Sequence, residues 1–334
     1  MGTFNTAFFT TITLVSVSLY GCQKTDPKSA EQATTTADQQ VKTLTIGYQK
    51  ASLNFLVAKQ QHQFEQQFPG AKIEWREFPA GPQMLEALSV GAVDFGYVGN
   101  TPPIFAQAAA KKISYVGYEV VSPDTQAVLI PQDSPIQTLA DLKGKRIAVQ
   151  KGSSAHELLA KVLQKAELSW QDIEPVWLPP ADARAAFDKK SIDAWSIWEP
   201  YLSAAEVDAH ARTLAKGSEF PTTYAFYIGN PEFIAAHPQA PLQLLKGLNE
   251  ADQWVLKHQD DALKIFADST GLKTDIAKRV LDKRLKPSPI LTLNPAVVQA
   301  QQDIADLFHQ VQLIPAKIDI KPAVWPTPGT QTSH

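Results

Sequence analysis

The sequence predicts two α/β lobes that face each other across a cleft, and three observations predict it. From Leu44 onward short β-runs alternate with helical stretches, the order of βαβ units and of a largely parallel sheet. A second set of the same kind begins near Pro131. The two sets also echo each other. Val93-Asp94 leads into an apolar strand and then Asn100 and Pro102; Ile192-Asp193 leads into an apolar strand and then Glu199-Pro200, with the two aspartates 99 positions apart. Two similar halves with equivalent strand ends are a cleft protein rather than one large sheet.

In the first set, LTIGY (44–48) is a short strand and LNFLVAKQQHQFEQQF has helical spacing. AKIEWREF (71–78) alternates with period two and puts Ile73 and Trp75 on one face. PQMLEALSVG (82–91) is a helix and VDFGYVG (93–99) a buried strand. Thr101-Pro102 reads as an N-cap with proline at the first helical position, opening IFAQAAAKK. ISYVGYEV and TQAVLIP follow as strands. In the second set DLKGKRIAVQ (141–150) gives a strand and KGSSAHELLAKVLQKAEL (151–168) a turn and helix, with Ser154 and Glu157 spaced as a capping box. EPVWLP is a strand, ADARAAFDKK a helix and IDAWSIW (192–198) a strand. From about Pro231 the pattern is mostly helical, and PTPGTQTSH is a loose tail.

Composition narrows the function. The chain has 334 residues, of which about 280 outside leader and tail suit two domains. With 31 basic and 34 acidic residues it has no field to draw nucleic acid, and no basic run tracks phosphates. One cysteine, Cys22, rules out an internal disulfide and a cysteine metal cluster. Seven scattered histidines make no metal-ligand pattern, and neither a nucleophile elbow nor a phosphate loop is present. No cofactor, metal or catalytic residue is expected.

The N-terminus reads as an address. FFTTITLVSVSLY (8–20) is too short and too rich in Thr and Ser for a membrane span, but suits a signal-peptide core. Leu19-Tyr20-Gly21-Cys22 resembles the lipobox of bacterial lipoproteins, which implies a lipid anchor on Cys22; plain signal cleavage is the alternative. Residues 23–41 carry almost no large apolar group and read as a flexible tether.

Three strand-to-helix turns are the binding candidates. Lys151-Gly152-Ser153-Ser154-Ala155-His156 opens a helix whose free N–H groups favour an anion. Ser154 is expected to cap the helix and Ser153 to touch the ligand; His156, one turn in, is either a satisfied partner or a ligand contact. Gly99-Asn100-Thr101 forms the matching turn of the first lobe, where ordinary turn chemistry is the alternative. Gly81-Pro82-Gln83 is a stiff loop at a third strand end, structural or offering an amide. Trp195 and Trp198 are oddly spaced on one strand, so they point to opposite faces and at least one meets the cleft or the other lobe. Glu199 would repel an anion; it is expected to hold a donor or bridge the lobes.

The strings EFPAGPQMLEAL, TPPIFAQAAA, DLKGKRIAVQKGSS, LPPADARAAF, DAWSIWEPY and AVW (323–325), with IGYQK (46–50), closely resemble the aliphatic sulfonate-binding proteins of bacterial ABC importers, in order from about residue 42 to 326. The resemblance implies a periplasmic binding protein fold with a two-strand hinge, crossing near Val121–Ala127 and returning near Thr223–Tyr227. The first lobe is then 42–125 with 226–326 and the second 126–225, with 327–334 as tail. It implies that Gln49 and Phe226 join the turns above at the cleft. It also implies a monomeric receptor for an alkanesulfonate, partnered with an ABC permease and its ATPase, exported and tied to the membrane by lipid alone. Many members carry an acid where this chain has Asn100, and glycine where it has Ala110. Taurine, sulfate esters or nitrate are alternative ligands. A thiamine-precursor enzyme and a signalling receptor are the rivals from other classes.

Overall fold

The computed structural model describes residues 40–221 and 223–326. The expected leader, Cys22, the tail and nearly all of the tether lie outside the described residues. Of the tether's last two residues, Gln40 donates from Nε2 to Pro69 O, while Val41 is buried in a hydrophobic core and so belongs to the fold.

The strands are β1 (Thr43–Tyr48), β2 (Lys72–Glu77), β3 (Phe95–Gly99), β4 (Ser114–Val121), β5 (Gln126–Ile130), β6 (Arg146–Val149), β7 (Glu174–Trp177), β8 (Ala194–Trp198), β9 (Arg212–Lys216) and β10 (Thr223–Gly229). They form two five-stranded sheets, β2-β1-β3-β10-β4 and β7-β6-β8-β5-β9. In each, three neighbouring strands run parallel and a strand coming from the other lobe's side of the chain, β10 or β5, runs antiparallel to its neighbours. The expected parallel sheets are thus mixed. Central strands such as β1 and β5 are buried on both faces, because helices cover both.

The sequence echo has a structural counterpart. Asp94 exchanges two bonds with Thr45 at the start of β1: its Oδ2 accepts the Thr45 N–H at 2.8 Å and its N–H donates to Thr45 O at 2.9 Å. Asp193 does the same with Arg146 of β6, at 2.9 and 2.8 Å. Each aspartate closes the gap before the third parallel strand of its lobe.

The helices are α1 (Leu53–Gln60), α2 (Gln63–Gln67), α3 (Gly81–Ser89), α4 (Thr101–Ala108), α5 (Ser154–Lys165), α6 (Pro180–Asp188), α7 (Tyr201–Asp208), α8 (Pro231–Ala236), α9 (Ala240–Lys257), α10 (Gln259–Thr270), α11 (Thr274–Lys283) and α12 (Pro295–Gln310). The stretch expected as one helix after β1 is two, because His62 takes a left-handed φ of 52°. Asn230 and Asn294 cap α8 and α12, each accepting backbone N–H bonds, and Gly271 ends α10 at φ 71°. In the first lobe α1, α2, α9, α10 and α11 pack on one face of the sheet around Phe55, Phe64 and Phe266, while α3, α4 and α12 pack on the other around Met84, Tyr115 and Phe308. In the second lobe α5 covers one face around Leu159, and α6 and α7 cover the other around Trp195.

The chain leaves the first lobe through a 3-10 turn at Pro123–Thr125 and returns through another at Gly217–Glu219. The two crossings touch backbone to backbone: a Cβ on Gly217 would fall 2.2 Å from Pro123 O. Phe220 still packs on the second lobe's core, so the chain returns between it and Thr223, at the near edge of the expected 223–227. Thr223, Tyr224 and Ala225 already pair with Val121, Val120 and Glu119 of β4 in the first sheet.

Candidate functional site

Between the lobes lies a cleft of about 1010 Å3, part of it open to solvent. Its polar end is built from strand ends and helix starts. Gln49 follows β1, Gly81 opens α3, Gly99 ends β3, and Ser153 and Ser154 stand at the start of α5. An N-terminal helix turn leaves N–H groups without intrahelical partners, and the helix dipole favours negative charge there. Pro102, at the start of α4, has no N–H to offer. The lining also carries apolar side chains, Leu53, Phe266, Val280, Leu281 and Leu285 of the first lobe and Trp198 of the second.

Seven of the fourteen expected residues line this cleft: Gln49, Gly81, Gly99, Ser153, Ser154, Trp198 and Glu199. Gln49 donates from Nε2 to Tyr97 O at 2.9 Å, so part of its amide is already used. Gly81 also makes room for a neighbouring turn, since a Cβ there would lie 2.6 Å from Pro102 Cγ. The cap expected of Ser154 falls to Ser153, and both serines line the cleft. Ser153 is the N-cap: its Oγ accepts from His156 N–H and donates to Gln150 O at 2.7 Å. Ser154, one residue inside the helix, faces Gly99 across the lobes.

The other seven lie elsewhere. Trp195 is buried on the face of β8 that meets α6 and α7, its ring 5.8 Å from Phe187. The odd spacing did separate the tryptophans, and Trp198 is the one at the cleft. Phe226 points into the core under α3 and α12, edge-on to Tyr115 at 5.1 Å; its neighbours Thr223, Tyr224 and Ala225 line the cleft instead. Pro82 and Gln83 follow Gly81 into α3, away from the lining. Asn100 and Thr101 are buried in a bridge between the lobes: Asn100 Nδ2 donates to Glu157 Oε2 of α5 and to Thr223 Oγ1, and Gln301 Nε2 donates to Asn100 O. An amide supplies the N–H that Glu157 needs, which an ionised acid at this position does not. Asn100, not Thr101, is also the residue flanking α4. His156 sits in an aromatic box off the cleft.

Glu199 bridges the lobes, one of its two expected parts. Its Oε1 accepts from Lys283 Nζ of α11 at 2.7 Å and from Ser203 Oγ at 2.7 Å. The charge it would turn on an anion is spent on the lysine.

Sequence reasoning missed a charged group in the lining. Arg284, Glu119 and Ser288 line the cleft together. Arg284 Nη2 donates to Asn54 Oδ1 at 2.9 Å and stands 3.5 Å from Asp252 and 4.0 Å from Glu119. Burial pushes the Glu119 carboxyl above its ordinary range, against the pull of Arg284, Tyr97, Tyr227 and Ser288. Burial and Glu119 likewise push the Tyr97 and Tyr227 hydroxyls well up. Arg284 is the cation of the lining. It follows α11 by one residue, and no local pattern marks it, because the carboxylates that hold it come from β4 and α9.

Among the described residues no helix is long and apolar enough to cross a membrane. The chain matches the family model described as NMT1/THI5 like over residues 49–262. It superposes on the alkanesulfonate-binding protein SsuA from Xanthomonas axonopodis pv. citri bound to MOPS with a TM-score of 0.82, at 45% identity, covering 85% of this chain and 98% of that one. Against the periplasmic aliphatic sulphonate binding protein SsuA from Escherichia coli the TM-score is 0.77 at 42% identity, covering 85% and 97%. An aliphatic sulfonates-binding protein of Bacillus subtilis (strain 168) is 36% identical over 292 residues, 86% of each chain. On sequence and on fold, the chain belongs to the NMT1/THI5-like family.

Proposed function

We propose that this protein is the substrate-binding component of an ABC importer for aliphatic sulfonates, closing its lobes on the ligand and presenting the closed form to a permease and its ATPase. The observation that carries the reading is the mixed lining of the cleft, which brings helix starts, neutral donors and the Arg284 cation together with a group of apolar side chains. A sulfonate is anionic at every physiological pH, so neutral donors and helix ends suffice to hold its head. The apolar group of Leu53, Phe266, Val280, Leu281, Leu285 and Trp198 suits an alkyl chain, whereas nitrate and inorganic sulfate have nothing to place there. In the same reading the chain is exported, anchored through a lipidated Cys22, monomeric, and binds without catalysis.

Calorimetric titration of the purified protein with hexanesulfonate, ethanesulfonate, taurine, hexyl sulfate, nitrate and sulfate tests this. Each methylene removed from water contributes roughly 0.8 kcal/mol, so hexanesulfonate should bind up to on the order of a hundredfold more tightly than ethanesulfonate. Preference for taurine or nitrate would move the substrate while keeping the receptor. Heat from none of the six would remove the sulfonate reading.

A further inference from the structure

His156 lies at the seam between the lobes, away from the cleft, and is fully buried. Two aromatic rings of the first lobe enclose it, Phe105 of α4 at 5.7 Å and Phe308 of α12 at 6.4 Å. Two of the second lobe complete the box, Trp170 at 4.9 Å and Trp177 at 5.2 Å. Its Nδ1 accepts the Gly152 N–H at 3.2 Å, which assigns the ring proton to Nε2. Nε2 is buried with no hydrogen-bond partner. A neutral ring is therefore tolerated with one unanswered N–H. An imidazolium would set a second proton against the Gly152 N–H and hold a charge away from water, a loss that attraction to the ring faces offsets only in part. Half of the box belongs to the opposite lobe, so separating the lobes takes Phe105 and Phe308 away and lets water reach the ring.

We propose that His156 is a proton-operated release of the closed form: uptake of a proton by its ring favours separation of the lobes and weakens ligand binding. The inference rests on lobe closure in the proposed function and concerns the regulation of the same cleft.

The surrounding charges do not oppose it. Lys151 faces the box, its Nζ 5.7 Å over the Trp177 ring, and disfavours a second cation. The α4 sequence TPPIFAQA has no titratable residue. On α12, Asp303 and Asp306 are exposed and accept from Gln299 and Gln302 of their own helix, and His309 makes no bond to the ring. Asp172 in the turn carrying Trp170 accepts from Ser169, and Glu174 of β7 is exposed. On α5 itself Glu157 pairs with Lys161. No carboxylate is bonded to the imidazole. Burial, with Lys151 adding to it, pushes the His156 pKa down to about 4 in the closed form. With Phe105 and Phe308 withdrawn and water admitted it should rise toward about 6.5, less the part that Gly152 and Lys151 of the same lobe still hold down. The closed form's advantage is complete above pH about 6.5 and is lost about tenfold per unit as the pH falls toward 4.

The test compares hexanesulfonate affinity at pH 7.5 and pH 5.0 for the full chain and for H156F, which keeps an aromatic ring in the box but cannot take a proton. The wild type should lose severalfold, up to about thirtyfold, between the two values, and H156F only a small part of that. An equal loss in both proteins would overturn the proposal. Should H156F fail to fold, the His156 ring resonance in the wild type gives the answer: saturating hexanesulfonate should lower its titration midpoint by up to about two pH units, and an unmoved midpoint would overturn it. Should hexanesulfonate not bind at pH 7.5, the proposed function fails separately. The gate is then read from small-angle scattering of the ligand-free chain, which should expand between pH 6.5 and 4 in the wild type but not in H156F; parallel curves would sink it.

Discussion

At Gly99 the lobes meet over a missing side chain. A Cβ there would stand 3.1 Å from Ser154 Cβ and 3.3 Å from its Oγ, both on the opposite lobe. Those contacts exist only when the lobes are together, so the methyl group of G99A should weigh on closure and not on folding. Overpacking of this kind costs about 1–2 kcal/mol, or roughly tenfold in ligand affinity, with the thermal midpoint of the ligand-free chain nearly unchanged. Titration calorimetry and a melting curve on the same sample check it; a midpoint that falls with the affinity would place the clash inside one lobe. Gly99 was legible because it ends a buried strand just before a helix. Trp198 was legible from parity alone, since two residues three apart on a strand cannot share a face. Ser153 and Ser154 were not separable, because a one-residue shift of the cap changes which hydroxyl is occupied and leaves the sequence pattern the same. His156 was visible only as a histidine near a turn. The box that gives it meaning is drawn from residues 105, 170, 177 and 308.

Two helices from different lobes, α7 and α11, face each other with opposite charges. Lys283 pairs with Glu199 at 2.7 Å and with Glu206 at 3.4 Å, Arg279 with Glu206 at 2.7 Å, and Lys273 with Asp208 at 2.9 Å. Their burial decides their worth. Lys283 and Glu199 are 20% and 5% exposed, so removing the lysine leaves a buried carboxylate with only Ser203 to satisfy it. Lys273 is 71% exposed, and such a surface pair contributes little and is screened by salt. K283M is therefore expected to weaken ligand binding about tenfold at both low and high salt. K273M should change it less than about threefold and lose even that in 0.5 M salt. Equal effects from the two variants would mean that the helices are not a lobe contact in solution. That α11 is a helix was readable from its period: Ile276, Ala277, Val280 and Leu281 bury one stripe. That its other side meets α7 was not, because the partners are 65 to 84 positions away and no local rule connects them.

At the scale of the whole molecule, no hydrophobic core crosses between the lobes. The cores around Phe55 and Met84 draw only on the first lobe, and those around Leu159 and Trp195 only on the second. The first lobe is itself assembled from both ends of the chain, with β10 inserted between β3 and β4. Local periodicity gave the strands, but not that two of them run against the rest, because strand direction is settled by where the chain re-enters and not by its own residues. What joins the halves is two short crossings, the Asn100–Glu157 bridge, the His156 box and the α7–α11 charges. None of these contacts merges the cores of the two lobes. Two separately cored lobes should then melt as two units, with a calorimetric enthalpy larger than the van't Hoff enthalpy in the ligand-free protein. A ligand touching both lobes supplies the missing coupling. At one hundred times its dissociation constant hexanesulfonate adds about 2.7 kcal/mol, should raise the midpoint by roughly 5–10 °C, and should bring the two enthalpies together. Equal enthalpies without ligand would show that the seam contacts alone make the molecule one cooperative unit. Closure would then be the protein's resting state, and the ligand's work would be to stabilise an arrangement already formed rather than to create it.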